Sequence, residues 1–340
     1  KENTAAAFST RDGMIFISTG LISQLSNEAE LAFLLGREIA HIKKEHARDI
    51  FRWRYSNPEF RVSEYEVYGT EIEKEADNDA IELLHRAGYS EEGVLSAFTV
   101  LIYSYIPFND IPLDFNFFYA NTIHFPAYKT AIKPVPITSY DQLNGIISPY
   151  YSLKKRSDGC DAQIVRHSNW GKALFLVADE TTFKQLSKIG KYESVSIDIN
   201  RHAYTNALYS VYLLQKEDPN AYYLRKMKLL ALLGAWNYIN EGKKYLTQKS
   251  QPEGEIGVLT EFLKKSNEKE LTILCLYSLR DFYQTSATFP DKEYILGFAS
   301  RKLKANSKLF GSYYAESKER VFEKQLQEKE IGRASCRERV

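Results

Sequence analysis

Cysteine is scarce in this chain, proline is bunched rather than spread, and neither sign of charge dominates. The three cysteines, Cys160, Cys275 and Cys336, are odd in number and far apart, so no disulfide framework or four-cysteine zinc site can be read from them. Lys and Arg number 45 against 44 Asp and Glu, a formal net charge of +1. The concentrated basic face of a nucleic-acid binder is therefore missing, and no nucleic-acid partner is expected. Lys44, Arg48 and Arg52 do recur at four-residue spacing, but they read as a solvated helix face. No run approaches the roughly 18 apolar residues of a membrane span; the longest, Leu229–Trp236, is interrupted by Gly234. The chain opens at Lys1 rather than Met, so a signal or anchor ahead of it would not be visible.

What is present is a chain of 340 residues, 44% of them hydrophobic, enough for one large core or two domains. Its organising stretch runs from Ser26 to His41. Leu31, Leu34, Leu35, Glu38 and Ile42 recur at three- and four-residue spacing, which predicts an amphipathic helix, and Asn27 with Glu30 three residues on predicts its cap. Glu38 and His41 are two parts of a zinc-protease signature. In that signature two histidines at i and i+4 bind the metal, and the glutamate after the first is the general base. Arg37 stands where the first histidine would be. Four helical residues turn through about 400°, so positions 37 and 41 share a face.

Around this helix the elements follow from local chemistry. Ala5–Phe8 and Met14–Ser18 are β-prone runs on either side of Asp12-Gly13, a hairpin signal whose edge is a place where an extended peptide can add. The motif helix is expected to reach about Trp53, with a loop over residues 54–70. A second helix is expected from near Glu71, buried through Ile72, Ala76, Ala80, Leu83 and Leu84 and stopped at Gly88. Ser90-Glu91-Glu92 caps a third, with Val94, Leu95, Phe98, Leu101 and Ile102 inward. Six of the ten prolines lie between Pro107 and Pro149 among many aromatics, which predicts an irregular segment covering the first domain. Beyond Trp170 the helical period returns. Ala207, Val211, Leu214 and Pro219 fit half of a tetratricopeptide repeat, and antiparallel helical hairpins are expected through about Gln327. Tyr192, Val195, Ile197 and Ile199 also fit a strand.

Five patches then occur in one order: Asn3–Phe8, Gly13–Leu21, Asn27–Ala32, Gly36–His41 and Glu73-Lys74-Glu75-Ala76-Asp77. Together they resemble the zinc metallopeptidase family that contains HtpX, the CAAX prenyl protease and BepA, of the gluzincin type. The resemblance covers roughly residues 3–104, and the later helices resemble the repeat domain that follows the protease in BepA. It implies a mainly α fold with an α+β catalytic part. The implied domains are a metallopeptidase-like domain over residues 1–104, an irregular covering segment over 105–170, a tetratricopeptide-like domain over 171–327 and a tail over 328–340. The end of that tail, Gly332–Val340, looks like a vector- or adaptor-derived translation.

The resemblance implies one zinc ion held by His41 and Glu73 with a third ligand at position 37, Glu38 as the catalytic base, and Asp77 as the carboxylate that orients the first histidine. It further implies a protein or peptide substrate, a protein-quality-control role, and a periplasmic or membrane-associated setting. Oligomeric state is not legible. One missing ligand removes roughly 3 kcal/mol of about 10–16 kcal/mol of zinc binding. A guanidinium about 5 Å from the ion adds repulsion of several kcal/mol, so zinc binding is expected to be weakened. The competing expectation is that Arg37 takes over the metal's charge and pairs with Asp77 or Glu73, leaving a stable but inactive site. A non-catalytic peptide-binding or chaperone-like pseudopeptidase is the alternative function. His46, about 140° from His41 on a continuous helix, is not expected as a ligand, and His85, His124, His167 and His202 are expected to be structural.

Overall fold

The structure is a computed structural model that describes residues 3–59, 62–119, 127–143, 149–240, 252–284 and 291–306. The described residues are mainly helical, with one small sheet. In chain order they form β1 (Ala7–Ser9), β2 (Ile15–Ile17), α1 (Thr19–Gln24), α2 (Glu28–Lys43), α3 (His46–Ser56), α4 (Val62–Ala87) and α5 (Glu92–Ile102). Then come α6 (Asn116–Tyr119), α7 (Ala127–Thr130), α8 (Pro149–Ile164), α9 (Glu180–Asn200), α10 (Tyr204–Glu217) and α11 (Tyr222–Asn240), and after them α12 (Glu255–Lys265), α13 (Glu268–Gln284) and α14 (Lys292–Asn306). These residues divide into two compact units. One draws on Lys1–Asn109 and Pro136–Ile197, the other on Asp110–Val135 and Asp198–Val340. The proline-rich segment is thus shared between them.

In the first unit α2 is the central element. Asn27 Oδ1 accepts from the Glu30 backbone N–H at 3.0 Å, and the Glu30 carboxylate accepts in return from the Asn27 N–H at 3.4 Å. This capping box satisfies donors that a helix start leaves open. α4, α5 and β1 all pack on α2, so it is buried over most of its girth rather than along one stripe, with Ala29, Phe33, Leu34 and Ala40 at 1% exposure or less. Each fully buried Phe or Leu contributes roughly 1.5–3 kcal/mol. Phe33 meets Phe98 of α5 with ring centroids 5.6 Å apart. α2 and α4 approach closely because position 36 is glycine: a Cβ there would meet the Ala80 Cβ at 3.2 Å. The Glu28 carboxylate, at the start of α2, accepts from Tyr89 Oη at 2.8 Å and from the N–H groups of Leu176, Val177 and Ala178 at 2.9–3.1 Å, fastening that segment to the helix N-terminus.

The hairpin forms with Phe8 opposite Phe16. Several expectations are corrected. The motif helix does not run on to Trp53: it stops at Lys43, Glu45 adopts a left-handed φ of 56°, and α3 starts at His46 in a new direction. The loop expected over 54–70 is largely helix, since α4 begins at Val62. Leu83 and Leu95, expected inward, are 38% and 41% exposed, and Ile81 is buried instead. Residues 149–164, within the segment expected to be irregular, form α8, whose leading proline suits a helix's first position. Tyr192–Ile199 is helix, not strand.

In the second unit α10–α14 enclose a core that includes Tyr209, Trp236, Phe262 and Phe282. Trp236 Nε1 donates to Thr272 Oγ1 at 2.9 Å. The extended stretch before α6 meets its backbone hydrogen-bonding needs through tyrosines. Tyr209 Oη receives the Ile111 N–H and donates to the Ile111 carbonyl, both at 3.0 Å, and Tyr212 Oη receives the Asp114 N–H at 3.1 Å. Among the described residues no helix is long and apolar enough to cross a membrane. His124, Cys336 and the tail over 328–340 lie outside the described residues.

Candidate functional site

Helix period and close helix packing build the site from distant parts of the chain. Arg37, Glu38 and His41 share a face of α2, Glu73 and Asp77 a face of α4, and the glycine contact at position 36 lets these faces meet. Arg37 Nε donates to Asp77 Oδ1 at 2.8 Å, and Arg37 Nη2 donates to Glu73 Oε2. His41 Nε2 lies 3.6 Å from Glu73 Oε1. Arg37 therefore pairs with both carboxylates at once, through different nitrogens.

A second guanidinium, absent from any sequence-level expectation, completes the cluster. Arg156 of α8 donates to Asp77 through Nε at 2.8 Å and Nη2 at 2.7 Å, and its Nη1 lies 2.9 Å from Glu73 Oε2. It also sits over the Phe98 ring, 5.6 Å from the centroid, where a cation is favoured. The side chains of Arg37, Arg156 and Asp77 are 9%, 7% and 2% exposed, and that of Glu73 is 36%. Burial pushes the Glu73 carboxyl up, but the Arg37 and Arg156 charges more than reverse this and hold it below the usual range. For Arg156 the Asp77 hydrogen bond and charge outweigh burial and raise its pKa.

His41 is backed by His46. Their Nδ1 atoms are 2.8 Å apart, and His46 Nε2 lies 3.5 Å from Glu75 Oε2. His46 is 3% exposed and reaches this position because the turn at Glu45 breaks the helix, so the 140° separation of a continuous helix does not apply. With Nδ1 engaged by His46, His41 presents Nε2 towards Glu73. Burial is the first cause that lowers the His41 pKa; the Glu73 and Glu38 charges oppose it, and those of Arg37 and His46 add to it. A cleft of about 390 Å³ opens here, lined by Phe8, Ser9 and Thr10 of β1 and its turn together with Glu38, His41 and Glu73. Elsewhere, His85 Nε2 lies 2.9 Å from the Ser168 carbonyl and the ring stacks on His167, while His202 contacts Tyr204 Oη. Lys44 pairs with Glu75 and Asp79, so it is not a free member of a basic face.

The cleft thus takes a glutamate and a histidine from α2 and a further glutamate from α4. Residues 1–63 match the model of peptidase family M48. The match supports the M48 metallopeptidase family; it spans Arg37, Glu38 and His41 and ends before Glu73, Asp77 and Arg156. No curated protein and no solved structure matches at a significant level. M48 peptidases are zinc-dependent in general, and an M48 peptidase implies protein or peptide substrates.

The residues present do not fit a zinc ion. A guanidinium has no lone pair to donate to a metal, and that of Arg37 already holds the Glu73 carboxylate. Among the described residues no group of three or more His, Cys, Asp or Glu side chains is arranged to hold a metal.

Proposed function

We propose that the chain is a zinc metalloendopeptidase of M48 descent, of the protein-quality-control type, that Arg37 has disarmed. The observation that carries this reading is the Arg37 guanidinium bonded to Glu73 and Asp77 beside His41. His41 and Glu73 are the retained ligand positions, Asp77 the orienting carboxylate, and Glu38, buried in the cleft wall, the retained base position. β1 lines the same cleft, which supports an extended peptide lying along it. Residues 171–327 are read as a tetratricopeptide-like domain, and the setting as the envelope or a membrane.

The test is metal content and cleavage of unfolded casein. The chain with Arg37 is expected to hold little zinc and to cleave negligibly, whereas Arg37→His should bind about one zinc per chain and gain chelator-sensitive activity. Adding Glu38→Gln should keep the metal and abolish cleavage, because it removes the base and no ligand. Stoichiometric zinc and activity in the unaltered chain would overturn the reading. So would an Arg37→His variant that binds no zinc.

A further inference from the structure

The cluster behind the cleft holds a second guanidinium, Arg156, to which the metallopeptidase resemblance assigns no role. Arg37 and Arg156 each reach both Glu73 and Asp77, so two guanidiniums and two carboxylates form a closed ring. The ring joins α2, α4 and α8, elements that supply residues 37, 73, 77 and 156. Glu38 stands beside it, also buried. Two carboxylates therefore face two guanidiniums, and exchanging Arg37 for a neutral side chain would leave two facing one. Asp77, the deepest member, and Glu73 would both keep Arg156 but lose the guanidinium they share on α2.

We propose that Arg37 does here the structural work that a metal dication would do in a site with histidine at this position: it neutralises the carboxylates and pins α2 to α4 and α8, so that this unit folds and keeps its cleft without a metal. A planar fork suits the task, since one guanidinium offers separate N–H groups to two carboxylates while an ammonium is a point charge. The ion-pair part of the proposal stands on the geometry alone. Only the comparison with a metal rests on the reading of His41 and Glu73 as retained ligand positions.

The experiment is thermal unfolding of the full chain, monitored by circular dichroism in excess EDTA and in excess zinc chloride. The chain with Arg37 should melt at the same temperature in both. Arg37→Met should melt lower by roughly 5–15 °C in both, as expected for removing one partner of a buried charge pair in a unit of this size. Arg37→Lys should fall between, because it restores charge but not the fork. A chain whose melting temperature drops in EDTA would overturn the proposal, as would Arg37→Met melting with the parent. If Arg37→Met does not accumulate in folded form, Arg37→Lys decides: a lower melting temperature supports the proposal and an equal one overturns it. None of these readouts involves cleavage, so an Arg37→His variant that binds zinc but stays inactive would sink the peptidase reading and leave this one standing.

Discussion

Lys228 of α11 is a buried cation whose Nζ donates to the Phe117 carbonyl and lies 4.3 Å from the centroid of the Phe117 ring. Burial pushes its pKa down to about 8, against about 10.4 in an unfolded chain. Between those values the unfolded state binds the extra proton, so stability rises with pH across this window and the lysine weakens the fold below it. Unfolding free energy measured from pH 8 to about 9.5 should therefore climb in the parent relative to Lys228→Met. Parallel profiles for the two proteins would show that this amine is not perturbed. At the same scale Arg37 engages two carboxylates of α4 at once, Asp77 through Nε and Glu73 through Nη2.

At the scale of elements, the close approach of α2 to its neighbours depends on two glycines that differ in how much space surrounds them. A Cβ on Gly36 would meet the Ala80 Cβ at 3.2 Å, which a small shift can absorb, whereas a Cβ on Gly93 would meet the Ala29 Cβ at 2.7 Å and its carbonyl carbon at 2.8 Å. Gly36→Ala gains up to about 1 kcal/mol of helix propensity in the middle of α2, so it is expected to be near neutral. Gly93→Ala lies at the first turn of α5 and must push that helix off the α2 backbone, at roughly 1–3 kcal/mol. Denaturant unfolding of the two variants checks the order. Equal losses would mean that the α2–α4 contact is as unyielding as the α2–α5 one.

At the scale of the whole molecule, the first unit is not continuous in sequence. Its core takes Cys160, Ile164 and Phe183 as well as the residues of α2, α4 and α5, and its ion-pair ring takes Arg156. A fragment ending at residue 104, where the family resemblance ends, lacks all of these and leaves faces of α4 and α5 that pack on α8 uncovered. It is expected to keep helical circular dichroism but to lose a cooperative thermal transition. A sharp transition in that fragment would show that α8 and α9 merely decorate a complete domain.

The sequence by itself determined what is local: the capping box of α2, the Asp12-Gly13 hairpin, the stop of α4 at Gly88, and the shared faces of Arg37 with His41 and of Glu73 with Asp77. Each follows from spacing over a few residues and from the chemistry of the backbone termini. The pairing of Arg37 with the carboxylates was also legible, because opposite charges left on two packed faces must find each other. Only the tertiary structure decided the rest. Arg156 carries no local mark, and its partner is 79 positions away. His46 reached His41 through a left-handed turn at Glu45, a residue that rarely adopts one, so the helical wheel pointed it elsewhere. α8 was masked by the prolines and aromatics before it. For Arg156 the deciding contact lies far along the chain, where periodicity carries no information and burial of charge settles which groups meet; for His46 it lies five residues away, across a helix break that periodicity does not show.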